Sequence, residues 1–252
     1  MTFLSYEDIN KLNNKEFRVY NLIVNNMEYV QKMSIRELAF ESKVSTTTIL
    51  RFCEKVGCKG YTEFKYKLKK FIEYKQGNNA CIIQGTVPAI QFLQKSIKNN
   101  ELKEKLERVS EICINSRRVI FYGVGSSGCL SEYGAYIMSS TGLDSSSITD
   151  LFYPLPNIIA KDVTMIILSV SGNTETLIKK LDIFRNKGIK IISITNTDQC
   201  TIANMSDINF SYYMPLVYSL QEDGIQTALT TQIPVVYLLE SIVGIIHKKL
   251  NK

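Results

Sequence analysis

At 252 residues, with 45% hydrophobic and 21% charged side chains, the chain has the make-up of a folded globular protein large enough for one big domain or two modest ones. Its six cysteines (Cys53, Cys58, Cys81, Cys113, Cys129, Cys200) form no CxxC pair and its single histidine is His247, which argues against a Cys/His zinc site and for thiols kept reduced. The positive charge is uneven: residues 1–77 hold 14 Lys+Arg against 9 Asp+Glu, whereas residues 78–252 hold 16 against 15, so a polyanionic partner is expected for the first part alone.

The first 75 residues read as helices. After "LNN", Phe17, Tyr20, Ile23, Val24 and Met27 recur at helical spacing. "SIRE" (34–37) is a capping box, in which the Ser34 hydroxyl and the Glu37 carboxylate each take the other's backbone N–H. The short helix it opens turns through "ESK" into a second helix, "TTTILRFCEKV", stopped by Gly57. A basic helix, "EFKYKLKKFIEYK", follows Thr62.

Ile49, Phe52, Cys53 and Val56 follow an i, i+3, i+4, i+7 pattern, leaving Thr46, Thr47, Leu50, Arg51 and Glu54 on the outer face. Ala39 is small enough to let the two helices cross closely. This is the geometry of a helix-turn-helix that inserts its second helix into the major groove, where Thr methyls meet thymine and Arg51 meets guanine or phosphate. The expected DNA contacts are Lys43, Ser45, Thr46, Thr47, Thr48, Arg51 and Lys55 on double-stranded operator DNA. Over residues 10–70 the stretch "SIRELAFESKVSTTTILRFCEKVGCKGYTEFK" resembles the N-terminal domain of RpiR-type bacterial transcriptional regulators. It departs from their pattern at Lys43, where the family has glycine; a left-handed backbone there would cost lysine about 1 kcal/mol.

"KQGNNACIIQGTVPA", broken by Gly77, Gly85 and Pro88, reads as a linker, giving expected boundaries of 1–77, 78–90 and 91–252. One long amphipathic helix is expected from about Ala89 to Ile114. Thereafter strand and helix patterns alternate: "RRVIFYG", "SSSITDLF", "VTMIILSV", "IKIISITN" and "DINFSYY" as strands, with helices between them and a last helix from about Gly224 to His247. The fold class expected is α/β: an all-α helix-turn-helix domain followed by a doubly wound parallel sandwich. No basic-then-apolar leader opens the chain, and its longest apolar run (233–246) is too short to span a bilayer and contains Glu240, so a cytoplasmic protein without membrane contact is expected.

Two loops carry the chemistry of this second part. "VIFYGVGSSG" puts Gly123 and Gly125 at a strand-to-helix turn, but no acidic residue follows at the spacing of a dinucleotide fingerprint, so no cofactor is expected. "SVSGNTETL" brings Ser169, Ser171 and Thr174 together with helix N-terminal amides, a combination suited to a phosphate monoester or to sugar hydroxyls. Glu132, Glu175, Glu222 and His247 are the conceivable proton-transfer bases; none sits in a catalytic pattern, so no catalytic residue is assigned and a sensor is expected rather than an enzyme. A phosphosugar isomerase with a helical assembly domain is the alternative.

The motifs "GVGSS" and "SVSGNT" also resemble the sugar-isomerase (SIS) domain that RpiR-type regulators carry. The resemblance implies that Gly125 and Ser127 contact the sugar and that Ser169, Ser171 and Thr174, with the amides of Val170 and Gly172, hold its phosphate. It also implies a homodimer or homotetramer formed through this domain, regulating carbohydrate genes. Gln232 stands where the family has arginine.

Overall fold

The computed structural model describes residues 4, 6–77, 86–153, 162–220 and 226–251, which form two compact units: 1–92 with 213–231, and 93–212 with 232–252. Glu222 and Cys81, singled out above, lie outside the described residues, as does most of the expected linker.

The first unit contains α1 (Tyr6–Asn10), α2 (Asn14–Asn25), α3 (Met27–Lys32), α4 (Ile35–Glu41), α5 (Thr46–Lys55) and α6 (Tyr61–Gly77). Asn13 and Glu16 close a capping box on α2, and Ser34 and Glu37 close the one expected on α4. The apolar stripe predicted to run through Met27 is cut at Asn26, whose extended φ of −140° starts α3 afresh. Ile49, Phe52 and Cys53 of α5 are buried against Leu38 and Ala39 of α4, and Phe52 meets Phe64 of α6 edge-on at 5.6 Å. Two lysines of α6 neutralise carbonyl ends: Lys65 Nζ donates to Met33 O (2.9 Å) and Lys67 Nζ to Gly57 O (2.7 Å). Residues 213–231 also pack here, including the antiparallel pair β6 (Tyr218–Leu220) and β7 (Gln226–Ala228).

The second unit holds a five-stranded sheet, β1 (Arg118–Tyr122), β2 (Ser145–Ile148), β3 (Val163–Ser169), β4 (Lys190–Thr195) and β5 (Ile208–Ser211), in the order β2-β1-β3-β4-β5 with every pairing parallel. All seven residues of β3 are buried, as befits a central strand covered on both faces. Helices α9 (Ser126–Ser139) and α10 (Glu175–Asn186) follow β1 and β3; α11 (Thr201–Met205) and α12 (Ile233–Leu250) complete the unit with α8 (Asn100–Ile114). Phe121 packs on α9, since a Cβ on Gly134 would lie 2.7 Å from its ring, while Tyr122 joins the cluster containing Leu177 and Leu181 of α10. Successive side chains of a strand face opposite ways, so α9 and α10 cover opposite faces of the sheet.

Two expectations need correcting. The single helix from Ala89 to Ile114 is two, α7 (Thr86–Ser96) and α8, because the Asn99 side chain accepts from Leu102 N (3.0 Å) and caps a new start. The last helix begins at Ile233, not Gly224: residues 226–228 pair as a strand, and Pro234 has no N–H to give and is accommodated only in a first turn. Among the described residues no helix is long and apolar enough to cross a membrane.

Lys43 sits in the turn between α4 and α5 with φ of 52°, the left-handed region where a Cβ is penalised. Lys43→Gly is expected to raise unfolding stability by about 1 kcal/mol in urea titrations, with the slope against urea unchanged.

Candidate functional site

In the order β2-β1-β3, the chain leaves β1 for one side and resumes on the other, so the carboxyl ends of β1 and β3 border the crevice at which open α/β sheets bind ligands. From those neighbouring ends spring α9 and α10. Neither N-terminus is capped by a side chain: Gly125 has none to offer, and Thr174 makes no capping hydrogen bond. α12 likewise begins at Gln232 without a side-chain cap. By contrast α2, α4, α5 and α8 are capped by Asn13, Ser34, Ser45 and Asn99. The first-turn amides of α9 and α10 thus keep their partial positive charge for a ligand.

The loop after β3 is built to hold that arrangement. Ser169 is buried, and its Oγ accepts from Gly172 N (3.0 Å), folding the loop back on the strand end. Val170 is buried beneath it, while Ser171 is exposed, with its Oγ accepting from Asn173 N (3.3 Å). Asn173 Oδ1 accepts from both Thr201 N (3.0 Å) and Thr201 Oγ1 (2.9 Å), fastening the loop to α11. Gly172 has φ of 64°, and a Cβ there would lie 2.1 Å from Cys200 Sγ. The three hydroxyls therefore divide: Ser169 shapes the turn, while Ser171 and the half-buried Thr174 remain at its outer edge. Asn173 and Cys200 were missed in the sequence. Both act through contacts 28 positions apart, and only the "SGN" turn signal hinted at them.

On the β1 side, Ser127 is buried in the first turn of α9, and its Oγ lies 3.5 Å from Gln232 Oε1, at the outer limit of a hydrogen bond. Gln232, the departure from arginine, thus sets the N-cap of α12 beside the first turn of α9. Lys180 of α10 stands 5.5 Å over the Tyr122 ring and donates to Tyr153 O (2.9 Å); burial lowers its pKa. Burial, with the nearby Asp150, pushes the Tyr122 phenol up to about 12, so it stays protonated at neutral pH. Glu132, Glu175 and His247 are all exposed.

In the first unit, Lys43, Ser45, Thr46, Thr47 and Arg51 are exposed along the turn and outer face of α5, and Thr48 is half-buried. Ser45 caps α5, accepting from Thr48 N (3.2 Å), with the two hydroxyls 3.0 Å apart. Lys55 differs from the rest of the expected set. Its ammonium is 2.6 Å from the buried Glu16 carboxylate and donates to Lys11 O (2.8 Å), so it ties the end of α5 to the start of α2.

Comparison with known proteins matches residues 6–75 to the helix-turn-helix domain of the rpiR family and residues 112–232 to the SIS domain. The bifunctional protein glk of Burkholderia thailandensis is 27% identical over 199 residues, covering 73% of this chain but only 30% of that protein. An uncharacterized HTH-type transcriptional regulator of Clostridium perfringens is 26% identical over 247 residues, covering 91% of this chain and 86% of its own. Among solved structures, Vibrio vulnificus NanR complexed with ManNAc-6P aligns with a TM-score of 0.53 at 21% identity, covering 95% of this chain and 88% of NanR. The sugar isomerase domain of the RpiR transcription factor from Sphaerobacter thermophilus gives 0.51 at 15% identity, covering 66% of this chain and 89% of that one. At such identities these two structures speak for the fold alone.

Gly172→Ala is expected to destabilise the second unit by roughly 1–3 kcal/mol in urea unfolding, through both the positive φ and the collision with Cys200. Adding Cys200→Ala should recover part of that loss by removing the sulfur, and the backbone strain should remain.

Proposed function

The chain belongs to the rpiR family of helix-turn-helix proteins and carries a SIS domain behind that helix-turn-helix, and on this premise we propose that it is a DNA-binding transcriptional regulator of carbohydrate genes controlled by a phosphorylated sugar. The observation that carries the effector reading is the pair of uncapped helix N-termini at neighbouring strand ends, with Ser171 and Thr174 at their rim. A phosphate monoester supplies the charge those amides lack. Ser169, Ser171, Thr174 and the amides of Val170 and Gly172 would form its cradle, and Gly125 and Ser127 the sugar side. NanR, whose fold this chain shares, was solved with such a ligand. The exposed Lys43, Ser45, Thr46, Thr47 and Arg51, with the half-buried Thr48, would meet the major groove and its phosphates, while Lys55 is held by the buried Glu16 carboxylate.

A sensor fits the chemistry better than an isomerase. Moving a proton between adjacent carbons requires a base held at the ligand, and the candidates among the described residues, Glu132, Glu175 and His247, face solvent. Two copies joined through their SIS domains would present two recognition helices to half-sites about one helical turn apart, in the cytoplasm.

The chain's path supports one route from ligand to DNA. β5 ends at Ser211, residues 213–231 pack with the first unit, and Gln232 returns to the second as the start of α12, beside Ser127. Within the first unit that strap is clamped on both sides of one residue: Leu216 N donates to Asn21 Oδ1 (2.8 Å) and Asn25 Nδ2 donates to Leu216 O (2.7 Å). Tyr213, at φ of 48°, stacks edge-on to Phe17 at 6.4 Å. A ligand that shifts Gln232 would pull on a segment fastened to α2, provided it binds the two arrangements unequally.

Calorimetry against a panel of sugar phosphates is expected to find one that binds, with Ser171→Ala and Thr174→Ala each weakening it about tenfold. Gel shifts on the intergenic DNA upstream of its own gene should show affinity falling steeply with salt and lost in Thr47→Ala/Arg51→Ala. Binding indifferent to salt and sequence, or turnover of the sugar by the purified protein, would count against the proposal. For Asn21→Ala/Asn25→Ala, sugar and operator affinities measured separately should stay near wild type, and the change in operator affinity on adding sugar should collapse. An undiminished response would show that the strap is not the route.

A further inference from the structure

One surface of the first unit is used neither by its core nor by the recognition helix. Between α3 and α4 lies a groove of about 440 Å³ whose floor is Met33 and whose walls are Tyr29 and Phe40. Phe40 is 81% exposed and Tyr29 60%, in a unit that buries Tyr20, Phe52 and Phe64 almost completely. Two large aromatics left in water side by side mark a surface that another surface covers.

The rim says what kind of surface. α4 carries two parallel stripes one turn long, Arg36 with Phe40 and Glu37 with Glu41, and α3 adds Lys32 on the same rim. Two cations and two anions flank the aromatics, so the rim has no net charge to select nucleic acid or an acidic peptide. Opposite signs beside a shared apolar strip are instead complementary to their own copy under a twofold axis. Centred between Arg36 and Glu41, two antiparallel α4 helices would set Arg36 of each copy against Glu41 of the other and bury Phe40 in the opposing groove.

We infer that this groove is a self-association surface through which the helix-turn-helix units of two copies pair, fixing the spacing of their recognition helices. The inference deepens the regulator reading and rests on the SIS-mediated dimer proposed there. Seven residues line the groove, too few for a stable dimer on their own, whose interface takes about 20–30 residues a side. Units already joined by SIS pairing meet at an effective concentration on the order of millimolar, where a weak contact suffices.

The test uses the full chain without DNA or sugar. Cys81 and the exposed Cys129 are replaced by serine; the buried Cys53, Cys58, Cys113 and Cys200 are left in place. Glu37→Cys, which lies opposite Phe40 of the other copy in that arrangement and leaves Phe40, Arg36 and Glu41 in place, is compared with Tyr66→Cys, a site 62% exposed on α6 and away from the groove, by the rate at which a short bis-maleimide joins two chains on a denaturing gel. Joining at residue 37 should be several-fold faster. Adding Arg36→Glu should slow it about threefold, as expected for a pair of exposed ion pairs, and adding Glu41→Arg as well should restore it. Sedimentation separates the two levels of the argument. A monomeric chain removes the SIS pairing and the groove contact together, whereas a dimer in which residue 37 joins no faster than residue 66, or in which the charge swap fails to restore the rate, removes the groove contact alone.

Discussion

A parallel sheet sends every strand out of the same edge, and the structure of the second unit depends on that constraint. Each crossover helix must start where a strand ends, so helix N-termini and their unpaired amides collect along one rim. At the rim between β1 and β3 the chain leaves those amides unanswered by its own side chains, with Gly125 and Thr174 at the two starts. At four other helix starts it spends an asparagine or serine on the same task, at Asn13, Ser34, Ser45 and Asn99, while α3, α11 and α12 also begin without a side-chain cap. Each omitted cap costs about 1 kcal/mol of helix stability, a cost a bound anion would offset.

The loops on that rim are rigid because their interiors are used up. Ser169 closes the turn, Asn173 reaches Thr201, and Gly172 admits the sulfur of Cys200 where any side chain would collide. Burial raises the pKa of the Cys200 thiol, so this sulfur fills space and does not act as a nucleophile at neutral pH. Among the described residues, the loops after β1 and β3 offer hydroxyls and amides, with Lys180 farther along α10.

The first unit solves a different problem: holding short helices at fixed angles with little core. Glu16 does two jobs there. Its carboxylate accepts from Asn13 N (2.8 Å) to complete a cap and from Lys55 Nζ (2.6 Å) to anchor α5, so the start of one helix and the end of another share a buried anion. With Lys65 and Lys67 on the carbonyl ends near Met33 and Gly57, three of the lysines visible in the sequence serve contacts within the unit, while Lys43 and Arg51 face outward on the turn and on α5.

Elements whose signal is local were legible from the residues alone: the Ser34–Glu37 capping box, the inward Ile49, Phe52 and Cys53, the apolar runs of β1, β3 and β4, and the glycine and hydroxyl loops after β1 and β3. Periodicity and capping act over a few residues, and so survive in a string of letters. Only tertiary structure decided what depends on distant partners. It split the helix expected from Ala89 at Asn99, began the last helix at Ile233, paired Lys55 with the buried Glu16, set Cys200 under Gly172, and clamped Leu216 between Asn21 and Asn25. A lysine that reads a phosphate and one that neutralises a buried carboxylate are the same letter; what separates them is a neighbour 39 positions away that the fold, and not the local pattern, brings to 2.6 Å.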